Sequence, residues 1–377
     1  MAVAFVERTV THFEKATDPR ANRGPNDPLI EMGFVALCGA ICDCHTWTAV
    51  ADFGRAKLAW FRKFLPFEPG IPAHDTFTEV FARLDTIEFY AALESWAGEM
   101  AGALPGETVA FDGKTLRGSF DAAADKSALH SVSAWACSVK LCLKLQSVAE
   151  KSHEVPAVQQ LIDLLDLEGA VVTADAMHCQ RETAEKILAQ EADYVLMVKG
   201  NQETLQAAVQ AALAQAMEAE DSRLRRCQAT AQNRDRREPR EVAALPVPRD
   251  SAVFRDWPGV KTIGGIDRCR EVDGRWKESQ AFFSSSLPCR VRALSQHLRS
   301  HGSIENSQHD VLDVTFSEDS RRTRHGNGPE ITSVFRRRAL HILQRDTSLT
   351  GSIRRKRKRC GWDEMQLGQL LAGFTAV

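Results

Sequence analysis

No apolar run in the 377 residues approaches the roughly twenty needed to cross a bilayer, so no transmembrane helix is expected. The opening MAVAFVERTVTHFEK carries an acid beside its only apolar patch, unlike a signal peptide, and the expected location is the cytoplasm. Cysteine is present ten times but without a repeating interval, which excludes a disulfide framework and predicts reduced thiols. Cys38, Cys42, Cys44 and His45 lie close in sequence, yet their intervals lack the paired knuckles of a structural zinc site and no second cluster follows, so they are expected to pack as core residues without metal. Net charge is also nearly absent, at −2.

That balance hides a segregation. Of 48 basic and 50 acidic residues, thirteen basic and two acidic fall between Ser320 and Cys360, leaving 35 and 48 elsewhere. An acidic body with a cationic end predicts a polyanionic partner there, with Arg321, Arg324, Arg354, Arg355 and Lys356 as candidate contacts.

With 44% hydrophobic and 26% charged residues the chain can bury a substantial core. From Phe5 to about Ala103 the segments EMGFVALCGAI, WTAVADFGRAKLAWFRKFL and TFTEVFARLDTIEFYAALESWAGEM show the three-to-four-residue apolar period of helices. Turns at Gly24–Pro28 and Pro66–Pro72 separate them, and Asp75 or Thr76 is a candidate cap. From Glu107 the texture becomes α/β: a strand over Thr108–Phe111 ending at Asp112, a polar loop, two strands in ALHSVSAWACSV and LCLKLQSVAEK, and a helix from Pro156 to Leu167. Then Gly169–Gln202 reads as a βαβ unit: a buried strand over Ala170–Ala174, Asp175 at its carboxyl end, a helix over Cys179–Gln190 and a strand over Tyr194–Val198. Ligands of such units gather at the carboxyl ends of the strands. In the order β-β-β-α-β-α-β the first and fourth strands can lie side by side, which brings Asp112 and Asp175 together.

Beyond an Ala- and Gln-rich helix over Glu203–Glu220, AVFRDW, VKTIGGIDRCREV and SQAFFSSSL predict strands of a small inserted sheet ending near Leu287, with Arg268 and Arg270 on one face. Val291–Val314 is helical again, with Ile304, Val311 and Leu312 apolar and Glu305 in the same helix. The expected units are therefore a helical region 1–104, a core 105–202 and 289–345, an insertion 203–288 and a basic tail 346–377.

Several long blocks resemble the DDE transposases of bacterial insertion sequences, in their H-repeat-associated group: ADFGRAKLAWFRKFL, GIPAHDTFTEVF, FDGKTLRGS, KSHEVPAVQQLIDLLDLEGAVVTADAMHCQ, DYVLMVKGNQ and SIENSQHDVLDVTFSEDSRRTRHGNGPE. The resemblance implies an RNase H-like core in which Asp112, Asp175 and Glu305 hold two Mg²⁺ or Mn²⁺ ions, an inserted mostly β region before the Glu helix, cleavage and strand transfer of double-stranded DNA at element ends and target, and a homo-oligomer on nucleoid DNA. Phosphodiester chemistry suits that set, because paired hard cations activate the attacking oxygen and stabilise the leaving one. Lys114, Arg117, Lys199, Asn201 and Gln202 lie near the acids as candidate phosphate contacts. His178 and His309 are expected in structural or DNA-contacting roles, since metal-bound water needs no separate His base. Where the family usually shows HWxIEN and LHWVLD, this chain has HGSIEN and QHDVLD, so Gly302 and Asp310 replace aromatic residues. Two alternatives follow: a non-catalytic DNA-binding remnant, and an RNase H-like nuclease without strand joining.

Overall fold

The computed structural model describes residues 2–373 apart from 14–15, 21–26, 121–126, 149–152, 234–235, 249 and 273–274. The start of the expected Gly24–Pro28 turn, the polar loop after Asp121 and the end of the LCLKLQSVAEK strand lie outside these residues, as does the side chain of Arg270. No helix among the described residues is long and apolar enough to cross a membrane.

Six helices open the chain: α1 (Ala2–Phe13), α2 (Leu29–Ile41), α3 (Trp47–Ala56), α4 (Leu58–Phe61), α5 (His74–Arg83) and α6 (Thr86–Ala101). Two segments expected as single helices are each divided, at Lys57 and at Leu84–Asp85. At the second break Asp85 caps α6 by accepting from the N–H groups of Ile87 and Glu88. Asp75 and Thr76 lie inside α5 rather than capping it. Phe34, Trp60, Phe61, Phe77, Phe81 and Phe89 form the aromatic centre of this unit, and Phe335 enters it from the far end of the chain.

The rest is one nine-stranded mixed sheet. Its elements are β1 (Thr108–Leu116), β2 (Leu129–Ala136), β3 (Leu141–Val148), α7 (Glu154–Leu164), β4 (Val171–Ala174), α8 (Arg181–Ala189), β5 (Asp193–Val198), α9 (Glu203–Glu218), β6 (Arg225–Asn233), β7 (Arg236–Pro246), α10 (Ala252–Arg255), β8 (Thr262–Val272) and β9 (Arg275–Ser285). The strands run in the order β3-β2-β1-β4-β5-β9-β8-β7-β6. β1, β4 and β5 are mutually parallel, while β2 and β3 add antiparallel strands beyond β1, the RNase H-like arrangement.

The insertion departs from expectation in two ways. It is not a separate small sheet: β9 pairs antiparallel with the outer edge of β5, so the inserted strands continue the central sheet. That edge is fastened by the serine run, with Ser286 accepting from the Tyr194 N–H and Ser285 donating to the Tyr194 carbonyl. AVFRDW is also not a strand but contains the short helix α10, whereas the charged stretch 225–246 forms the hairpin β6–β7.

After β9 come α11 (Val291–His301), a π turn (Glu305–His309), α12 (Asp310–Val314), α13 (Gly328–Arg345), α14 (Ile353–Trp362) and α15 (Glu364–Gly373). Residues 346–373 are therefore no solvated tail. α14 and α15 pack on each other and reach back to α2 and α1 of the N-terminal unit.

Candidate active site

Alternation along the strands sorts the site onto two faces. Thr108, Asp112 and Lys114 of β1 face α11 and α12: Thr108 Oγ1 lies 2.8 Å from His297 Nδ1, and Lys114 Nζ donates to Asp313 at 2.6 Å. Thr173 of β4 has the same aspect, with its Oγ1 3.1 Å from His301 Nδ1. β1 and β4 run parallel with Phe111 opposite Ala174, so the next step along each places Asp112 and Asp175 side by side. Asp175 does end its strand, but Asp112 does not: β1 continues to Leu116 because residues 112–116 stay paired with β2.

The two carboxylates feel each other. Burial, and then the charge of Asp175, push the Asp112 carboxyl up to about 6, against the pull of His301 and the Gly113 N–H. Asp175 is held low, first by the hydrogen bond from His301 Nε2 at 3.4 Å, with Lys199 and His178 assisting against burial. A close pair in which one acid is kept protonatable by the other is a donor set that a hard divalent cation relieves.

Glu305 opens a π turn rather than continuing a regular helix. Four residues before it His301 touches Asp175, and four residues after it His309 Nδ1 stands 3.3 Å from Asp112 Oδ2. The segment carrying Glu305 is thus docked across both aspartates. Gln308 donates to Ser133 at 3.3 Å, and Gln344 of α13 donates to the Ser307 carbonyl at 2.6 Å. The Glu305 side chain itself is exposed, and among the described residues no three His, Cys, Asp or Glu side chains form a group that could hold a metal ion. Asp112 and Asp175 are brought together, and Glu305 stands on the facing segment. Neither substituted flank is a packed position: a Cβ on Gly302 would meet only the Arg299 carbonyl at 3.7 Å, and Asp310 is exposed.

Behind β1 lies a cluster that sequence reasoning missed. Glu154 of α7, 3% exposed, accepts from His130 Nε2 at 2.8 Å and from His178 Nε2 at 3.0 Å. Thr115 Oγ1 lies 2.8 Å from the other nitrogen of His130. These hydrogen bonds, with the two imidazoles alongside, hold Glu154 down at about 2 despite burial. Gly113 faces the same carboxyl so closely that a Cβ there would sit 2.5 Å from Glu154 Cδ. Glu154 thereby grips the residue after Asp112 directly and, through His178, the turn after Asp175. His178 is 1% exposed and structural, as expected; His309, pushed down to about 3 by burial and by Arg337 and Lys114, is neutral. His301 was also missed, although its place one turn before Glu305 is a signal for it.

The candidate phosphate contacts divide. Arg117 and Lys199 are exposed; Lys199 lies close enough to Asp175 to help hold its carboxyl down, whereas Arg117 stands 3.7 Å from Asp319. Asn201 donates to the Ala176 carbonyl at 2.7 Å and Gln202 to Gln180 at 3.1 Å, bracing the turn after Asp175. Lys114 and Lys356 are corrections, because both are buried in internal ion pairs: Lys114 with Asp313, and Lys356 with Asp346 Oδ2 at 2.9 Å plus the carbonyls of Leu343 and Asp346. Arg336, Arg337, Arg338 and Arg357 of the cationic run are buried too, and Arg357 lies over the Phe316 ring at 3.8 Å. Arg321 is half-buried, while Arg322, Arg324, Arg354 and Arg355 are exposed.

Comparison with known proteins matches residues 104–340 to the family described as "Transposase DDE domain" and residues 10–97 to "DDE_Tnp_1-associated". The chain is 32% identical over 383 residues to "Putative transposase YncI" of Escherichia coli O157:H7, covering 99% of this chain and 96% of that one. It is 28% identical over 373 residues to "H repeat-associated putative transposase YhhI" of Escherichia coli strain K12, covering 98% of each. Among solved structures it matches a piggyBac transposase synaptic complex with hairpin DNA at 10% identity and a TM-score of 0.42, covering 99% of this chain and 76% of that one.

Proposed function

Because this chain belongs to the Transposase DDE domain family, we propose that it cuts DNA at the ends of its own element and joins the freed 3′ ends to target DNA, with Asp112, Asp175 and Glu305 as metal ligands. The observation that carries this reading is the juxtaposition of Asp112 and Asp175 on adjacent parallel strands, with Asp112 raised to about 6 by burial and its neighbour. Two Mg²⁺ or Mn²⁺ ions bound there would activate the attacking water or 3′-hydroxyl and stabilise the leaving oxygen. The chain's own groups orient the donors. His301, itself placed by Thr173, aims the Asp175 carboxylate, and the Gly113 N–H donates to Asp112 Oδ1 at 2.8 Å. Neutral His309 beside Asp112 neither neutralises that carboxyl nor competes as a cation. Glu305, exposed at the start of the π turn that faces the strands, would complete the set. Arg117 and Lys199 would meet phosphates flanking the scissile bond.

The test is a supercoiled plasmid carrying the element ends, incubated with protein and Mg²⁺, with nicked and joined products read separately. Wild type should give both, and Asp112→Asn, Asp175→Asn and Glu305→Gln neither, with circular dichroism unchanged. Nicking without joined product would select the simple nuclease. Binding by wild type without any nicking would select the non-catalytic remnant.

A further inference from the structure

The loop from Arg321 to Asn327 spans the two units and is pinned at both ends. On the catalytic side, a Cβ on Gly118 would strike the Arg321 carbonyl. On the N-terminal side, Asn327 donates its backbone N–H to the Ala82 carbonyl and its Nδ2 to the Leu84 carbonyl, each at 2.9 Å. Between the pins burial alternates: Arg321 and Thr323 are half-buried, Arg322 and Arg324 exposed, so the last two project from one side of an extended segment. They form one wall of an open groove whose other wall is His45, Thr46, Trp47 and Thr78 of the N-terminal unit. Among the described residues no Asp or Glu lines it.

His45 senses the sign of that groove. Burial first, then the charges of Arg321 and Arg357, bring its pKa down to about 4, although Asp43 stands 3.0 Å away. The loop is also tied to the strand that carries Asp112: Arg117, just beyond the end of β1, lies 3.7 Å from Asp319, two residues before Arg321.

We propose that this groove holds the sugar–phosphate backbone of the DNA leaving the cleavage site, with Arg322 and Arg324 on the phosphates and the N-terminal helical unit as the opposing wall. The proposal rests on the DNA-cutting reading only for the identity of the polyanion. It makes the N-terminal unit part of the DNA path, and it moves the principal contacts away from the run Arg354–Arg359.

The experiment is fluorescence anisotropy of a labelled duplex bearing the element end, titrated with the full chain between 50 and 200 mM salt in metal-free buffer. Arg322→Ala/Arg324→Ala should weaken binding at least about tenfold and flatten the log–log salt slope by about 1.8, two contacts at roughly 0.9 each. Arg354→Ala/Arg355→Ala should keep the wild-type slope. Thr78→Glu, which places an anion on the far wall, should weaken binding without touching any cation. An unchanged slope in the Arg322/Arg324 variant, or wild-type affinity in Thr78→Glu, overturns the groove. Plasmid nicking read in parallel keeps the two claims apart: a wild type that nicks while the groove variants bind normally sinks the groove alone, and a wild type that binds with the predicted slopes but never nicks sinks the catalytic reading alone.

Discussion

Asp112 and Glu154 flank the same strand and are displaced in opposite directions, the first up to about 6 and the second down to about 2. Burial pushes both upward, so it does not explain the difference in direction. Glu154 accepts hydrogen bonds from two imidazoles within 3.0 Å, and these favour its ionised form. Asp112 has a second carboxylate as neighbour, and the imidazole nearest it is neutral. A carboxylate with its hydrogen-bond donors built in is scaffolding, whereas one whose counter-charge must come from outside is poised for chemistry.

Substitution should separate the two most sharply. Asp112→Asn is expected to reduce metal-dependent nicking by at least about 10²-fold, the scale on which removing one directly stabilising group is felt, while the unfolding midpoint does not fall. Glu154→Ala should act first on the fold: it strands two buried imidazoles, at a cost of about 3–5 kcal/mol measurable by urea denaturation. A Glu154→Ala protein as stable as wild type would erase the distinction. Gly113→Ala tests the contact between the two sides of the strand. Its Cβ must push the Glu154 carboxyl aside, an overpacking cost of about 1–3 kcal/mol, with reduced nicking because Asp112 is the adjacent residue.

Acid titration gives the comparison a sign. The folded pKa of Glu154 lies below its ordinary 4.5, so the stability it contributes is complete above pH 4.5 and is lost as pH falls towards 2. Asp112 lies above its ordinary 3.8, so its favourable contribution is complete below that pH and is lost as pH rises through about 6. In metal-free buffer Asp112→Asn should therefore be more stable than wild type at pH 7 by about 1–3 kcal/mol, a gain that vanishes below pH 4. Denaturant midpoints across pH 3–8 for both single variants check this. The smallest effect separates neighbouring cations: Lys356→Ala should cost about 1–3 kcal/mol by stripping buried Asp346 of its partner, whereas Arg354→Ala should stay within about 0.5 kcal/mol.

Much of the core was legible because its signals are local. The runs at 170–174 and 194–198 are short, apolar and separated by one amphipathic helix, and only a βαβ unit fits that pattern. Asp112 was placed near Asp175 correctly but given the wrong backbone, since DGK reads as a turn and only pairing with β2 makes it strand. The hairpin β6–β7 was illegible because RRCQATAQN and RREPREVAALP lack a clean alternation of apolar and polar residues, and its strandedness comes from joining an existing sheet. Linear charge counting likewise could not tell Arg354 from Lys356 and Arg357, because position in a sequence says nothing of burial. Glu305 was singled out by family resemblance alone, and the π turn beneath it left no local mark in ENSQH.

Arg357 ties two distant pieces of chain to α14: its guanidinium donates to the Ala40 carbonyl and pairs with Asp43 at 2.8 Å in one turn, and donates to the Thr315 carbonyl in the other. Ala40 precedes it by 317 residues, so at a synthesis rate of about 5–20 residues per second the N-terminal helices wait roughly 16–60 s for one of their own buried contacts. During that interval the turn at Ala40–Asp43 and the aromatic centre that Phe335 later enters remain uncovered, and the nascent chain is open to chaperones and proteases at its first-made end. A ribosome-bound chain stalled short of Arg357 should accordingly be cut near residues 40–47 by a protease that leaves the released protein intact there.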